Sequence, residues 1–129
     1  MKKRARRISL IKSVPKGSFK LPIQTVTLVP STTSLNKKVY NKTLAKRVND
    51  TRKLLSRLFG GYTSTRATGG YVAKKGSLVK EKVVLVVSYS ERKTFAKNKK
   101  LWINWLKRKK KAWGQEAIGI IIENDMFYI

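Results

Sequence analysis

The chain has 129 residues, 31 of them Lys or Arg against 6 Asp or Glu, for a formal charge of +25. It has no Cys and no His. That excludes disulfides, thiolate nucleophiles, the usual zinc, haem and copper ligands, and any Ser-His-Asp or Cys-His arrangement. An enzyme built on such a chain rests on carboxylates, Lys, Arg, Tyr or hydroxyls, and no cofactor or metal is expected.

Residues 1–20 carry Lys2, Lys3, Arg4, Arg6, Arg7, Lys12, Lys16 and Lys20 with no acid, and Pro15 and Gly17 interrupt any regular pattern. They read as a basic arm ahead of one domain over 21–129. The ISLI run after the first cations is too short for a secretory h-region, and no apolar run is long enough to span a bilayer. A soluble protein with no membrane partner is expected, cytoplasmic or nucleoid-associated, with a virion as the other setting.

Leu21 to Pro30 is rich in β-branched residues and bounded by prolines, so it predicts strand β1. Asn41 offers an N-cap for helix α1 over about 42–59, whose Leu44, Val48, Leu55 and Phe59 recur at helical spacing. Gly60-Gly61 stops it. Tyr62 to Ala73 predicts β2, with a bulge or bend at Gly69-Gly70. Leu78 to Tyr89, with its VVLVV run, predicts β3. Ser90 offers a cap for helix α2 over about 91–113, striped by Phe95, Trp102, Leu106 and Trp113. Ala117 to Ile122 predicts β4, Asn124-Asp125 a tight turn, and Met126 to Ile129 a short β5.

The order β-α-β-β-α-β is the split βαβ, ferredoxin-like motif: an α+β fold with an antiparallel sheet and two helices on one face, plus a terminal strand. Val83 to Val87 and Ile120 to Ile122 leave no polar face on β3 or β4. A two-layer fold would then expose apolar surface. Homodimerisation or higher assembly through the sheet faces, or cover by the N-terminal segment or β5, is expected.

Lys107 to Lys111 are five consecutive cations without interleaved acid. A polyanion partner, DNA or RNA, follows from that run and the arm. The contacts expected are Lys2, Lys3, Arg4, Arg6, Arg7, Lys99, Lys100, Lys107, Arg108, Lys109, Lys110 and Lys111. Trp105 lies off the apolar stripe and is the aromatic available for base stacking, whereas Trp102 and Trp113 read as core. The six acids read as salt-bridge partners rather than catalytic groups. The leading reading is a non-enzymatic, largely sequence-nonspecific nucleic-acid-binding protein acting by phosphate neutralisation. The alternatives are a nucleocapsid, coat or RNA–protein particle component, and an accessory factor or enzyme acting on phosphates.

Gly69-Gly70-Tyr71, Gly76-Ser77-Leu78-Val79-Lys80-Glu81 and Gly114-Gln115-Glu116-Ala117-Ile118 fall at a consistent spacing. Over about residues 60–129 they make the chain resemble a family of small uncharacterised bacterial ferredoxin-like α+β domains. The resemblance implies the fold and carries no activity. Many members of that family look exported and are not strongly basic, and this chain is expected to differ on both counts. In composition it is similar to ribosomal and viral nucleocapsid proteins.

Overall fold

The computed structural model describes residues 14–33 and 37–129. Strands β1 (Ile23–Pro30), β2 (Thr63–Val72), β3 (Leu78–Ser90), β4 (Gly119–Ile122) and β5 (Asp125–Tyr128) form one antiparallel sheet in the order β2-β3-β1-β4-β5. Helix α1 (Asn41–Phe59) joins β1 to β2, and α2 (Arg92–Ala112) joins β3 to β4. β1 and β2 both pair with β3, and β3 and β4 both pair with β1. These are the two interlocked split βαβ units that the sequence order predicts, with β5 added at the edge beside β4.

Strand alternation assigns the two faces. Thr25, Thr27 and Val29 of β1 pair with Ser88, Val86 and Val84 of β3, and all six are buried beneath the helices. Ile120 of β4 joins them opposite Thr27. Against this layer pack Val48, Leu55 and Phe59 of α1, Trp102 and Leu106 of α2, and Trp113. Trp102 is fully buried, meets Phe59 edge-on with ring centroids 5.9 Å apart, and donates its indole N–H to Thr27 Oγ1 at 3.1 Å. Two buried polar groups thereby satisfy one another inside an apolar core. Trp102 and Trp113 are core residues, as their stripe predicts.

Several local expectations are corrected. Asn41 is the first helical residue of α1, not its cap; Tyr40 holds the N-cap position without a side-chain bond. Ser90 does not cap α2, because it ends β3 opposite Ile23 and its Oγ is buried without a partner. Glu91 takes that place. Gly69-Gly70 makes no bulge: the β2–β3 register runs unbroken from Thr63↔Val87 to Val72↔Leu78. The β4–β5 turn is centred on Glu123-Asn124, one residue early, since Ile122 pairs with Asp125. Glu123 holds a left-handed φ of 58° there, and its carboxylate accepts the Gln24 N–H at 2.8 Å. Gly60 does end α1, at φ 99° with its N–H on the Ser56 carbonyl.

The second sheet face is laid down by Val26 and Leu28 of β1, Val83, Leu85, Val87 and Tyr89 of β3, Ile121 of β4, and Met126 and Tyr128 of β5. None of these side chains is charged, and Tyr128 is 72% exposed. β5 does not cover this face, because it extends the sheet edge. The arm to residue 13 lies outside the described residues. Among the described residues no helix is long and apolar enough to cross a membrane.

Candidate active-site cleft

β2 presents Ser64, Arg66, Thr68 and Gly70 on its helix-facing side, by register with Val86, Val84, Lys82 and Lys80. These residues are small or polar and offer α1 no apolar surface to dock on. The N-terminal two-thirds of α1 therefore stands off the β2 edge and leaves a cleft of about 850 Å³. One helical stripe forms its wall: Asn41, Leu44, Ala45, Val48, Asn49 and Arg52. Ser64, Arg66 and Thr68, with Lys82 and Val84 of β3, form its floor. The volume suits a small-molecule ligand.

Arg52, Arg66 and Lys82 give this cleft three cations, and among the described residues no carboxylate lines it. Arg52 is fixed. Its Nε and Nη2 donate to Ser64 Oγ at 3.1 and 2.7 Å, and its Nη1 donates to Asn49 Oδ1 at 3.2 Å. Its guanidinium also lies 5.3 Å from the centroid of the Tyr62 ring. Arg66 and Lys82 are exposed, and their side chains have no hydrogen-bond partner among the described residues.

Behind the wall, Arg47 is 5% exposed. Its Nη1 donates to the carbonyls of Pro30 at 2.8 Å and Thr32 at 2.9 Å, and its Nη2 to the Trp113 carbonyl at 3.3 Å. Its guanidinium stacks 5.5 Å from the Trp113 ring centroid, while its Nε has no partner. Burial pushes its pKa below the ordinary arginine value. Three carbonyls, one at the C-terminal end of α2, stand in for a counter-ion. Gln115 Nε2 donates to two of the same carbonyls, Thr32 at 2.6 Å and Trp113 at 3.2 Å. Arg47 thus ties α1 to the ends of β1 and α2, next to the cleft-lining Val48 and one turn from Leu44.

The residues singled out from sequence lie elsewhere. Lys2, Lys3, Arg4, Arg6 and Arg7 fall outside the described residues. Lys99, Lys100, Lys107, Arg108 and Lys111 are exposed on α2, and Lys109 and Lys110 are half-buried. Lys107, Arg108, Lys110 and Lys111 gather round Ile129 in a second depression. Trp105 is half-buried, edge-on to Trp113 at 5.9 Å, with the Lys109 ammonium 5.4 Å from its ring centroid. No residue of α2 lines the cleft. Nor are the acids generally ion-paired: among the described residues only Asp50 forms a salt bridge, with Lys46 at 3.2 Å. Glu81 instead accepts from Thr32 Oγ1, and Glu123 from the Gln24 backbone. Arg52, Ser64, Arg66 and Lys82 escaped sequence reasoning, although Asn41, Leu44, Val48 and Arg52 already share one helical stripe.

No protein-family model matches the chain. No curated protein matches it. Two solved structures are similar to it. A phage SAM lyase in complex with S-methyl-5′-thioadenosine superposes with a TM-score of 0.60 at 15% identity, covering 91% of this chain and 95% of that one. A phage SAM lyase in the apo state gives 0.58 at 16% identity, covering 87% and 94%. At this identity the likeness shows a shared fold.

That likeness corrects the functional expectation. The fold found along nearly the whole chain occurs in an enzyme of a small nucleoside-containing molecule. This overturns the reading as a non-enzymatic nucleic-acid-binding protein, and with it the capsid and nucleoprotein alternatives. Net charge describes the field around a protein and leaves its chemistry open. Function resides in a site, and this cleft forms only when α1 meets β2.

Proposed function

We propose that the chain is an enzyme that binds S-adenosylmethionine in the α1–β2 cleft and cleaves it to S-methyl-5′-thioadenosine. The observation that carries this reading is the match to the phage SAM lyases over nine-tenths of both chains. The make-up of the cleft supports it. Breaking the bond between sulfur and the aminocarboxypropyl carbon sends the electron pair to sulfur, and the sulfonium leaves as a neutral thioether. No general acid is required, which suits a chain without His or Cys. A cleft with three cations and no carboxylate among the described residues disfavours the positive sulfonium and is relieved as that charge disappears. Among the described residues no carboxylate base lines the cleft to remove a carbon-bound proton, which favours attack by the substrate's own carboxylate. The carbon–oxygen bond that forms closes a lactone as the carbon–sulfur bond breaks.

The test is incubation of the purified protein with S-adenosylmethionine, with products separated by chromatography and weighed by mass spectrometry. Enzyme-dependent formation of S-methyl-5′-thioadenosine is expected. Intact substrate after prolonged incubation with folded protein overturns the proposal.

For the open sheet face, the partner proposed is a second copy of the chain. By register the strands put a single charged residue on it, Glu81 near the β2–β3 end, in a chain where 29% of residues are charged. Such a face is where two strongly cationic copies meet at least electrostatic cost.

A further inference from the structure

Ser64 sits at the cleft floor with its oxygen already accepting from Arg52. Arg52 Nε donates to its Oγ at 3.1 Å and Arg52 Nη2 at 2.7 Å. A serine oxygen has two lone pairs and one proton. The two N–H groups lie on one edge of the guanidinium and converge on Oγ from one side, which leaves the hydroxyl proton free to donate to a ligand. The adjacent cation strengthens that donor, as charge-assisted hydrogen bonds exceed neutral ones. Arg52 is held in turn by Asn49 and by the Tyr62 ring, so the pair is preorganised.

Two more donors share this side of the sheet. Arg66 lies two residues from Ser64 on the same face of β2, a spacing of about 7 Å. Lys82 pairs with Thr68 and is therefore diagonal to Arg66, within reach for long side chains. Ser64, Arg66 and Lys82 thus bring a cation-polarised hydroxyl, a planar fork and an ammonium to one patch, with no acid among the described residues lining the cleft.

The geometry points to a carboxylate subsite in which the Ser64 hydroxyl, with Arg66 and Lys82, grips the α-carboxylate of the substrate's amino-acid end. Arg52 is a positioning residue that aims Ser64 through its two N–H bonds. This inference rests on the proposed S-adenosylmethionine reading and deepens it: the subsite chooses nucleosides carrying an amino-acid tail over those that have lost it. It would hold the substrate's carboxylate while leaving the tail-less thioether product free to go.

The test is calorimetric titration with two unreactive thioethers. S-adenosylhomocysteine keeps the amino-acid tail, and S-methyl-5′-thioadenosine has a methyl group in its place. The wild-type protein is expected to prefer S-adenosylhomocysteine by roughly 10- to 100-fold, the range for hydrogen bonds to a charged group. Ser64→Ala and Arg66→Gln should each shrink that ratio by about 10-fold, and Ser64→Thr should restore it. If both ligands bind the wild type equally well, the subsite is refuted while the S-adenosylmethionine reading stands. A preference that survives both substitutions places the carboxylate elsewhere and also refutes it. If neither thioether binds, the reading of the cleft fails and takes the subsite with it.

Discussion

At the scale of single residues, the cleft depends on an orientation as well as a charge. Arg52 reaches Ser64 with the Nε and Nη2 edge of its guanidinium and Asn49 with Nη1. Lysine can supply the charge but not this planar fork. Arg52→Lys should therefore behave like Arg52→Ala, each raising KM for S-adenosylmethionine by about 10-fold. Urea midpoints should stay near wild type, because this edge of the molecule is open to water. Recovery of normal KM by the lysine variant would mean that Arg52 acts only as a point charge. Little of this was visible beforehand, for a definite reason. The Arg52–Ser64 pair joins a helix to a strand across the Gly60-Gly61 stop. Each partner viewed within its own element is an ordinary polar surface residue. Trp102, by contrast, was legible because its partners on the apolar stripe recur within its own helix.

At the scale of elements, α1 must be held at a fixed distance from β2 for the cleft to exist, and Arg47 is the side chain that anchors it. Replacing it with methionine keeps the volume and removes a buried charge whose Nε has no partner. It also strands the Pro30 carbonyl, while Gln115 continues to serve Thr32 and Trp113. Removing one partner from a buried hydrogen-bonded group costs about 1–3 kcal/mol. Arg47→Met should lower unfolding stability by about that amount in urea denaturation, and raise KM for the proposed substrate as the wall loosens. A variant as stable as wild type with unchanged KM would show that core packing alone seats α1. Arg47 could be read from the sequence in principle. It lies on the same stripe as Leu44, Val48, Thr51 and Leu55, all facing the core side. Its neighbours Lys46 and Lys42 disguised it as part of a solvated basic face. Element types and order were legible because the VVLVV run and the helical stripes are periodic signals within one segment. The α2 cap and the β4–β5 turn were displaced by a residue because pairing across the sheet outvoted local preference. Ser90 went to β3 and Asp125 to β5.

At the scale of the whole molecule, the charge of +25 and the largely apolar sheet face pull in opposite directions. Two copies brought together through Leu85, Val87 and Ile121 bury apolar surface but also bring two highly cationic bodies within a few nanometres. The burial is insensitive to salt over the physiological range, whereas the repulsion is screened over about 10 Å at 0.1 M and reaches about 30 Å at 0.01 M. Self-association should therefore strengthen as salt rises. Light scattering or sedimentation should report a larger mass at 300 mM than at 20 mM salt. Leu85→Lys, which plants a charge at the centre of the face, should return the chain to monomer at both. A monomeric mass across that range, with Leu85→Lys indistinguishable from wild type, would show that the face is left bare. Association that weakens with salt would point to a contact made by charges, of which the strands on this face hold only Glu81, and would move the interface to another surface of the molecule.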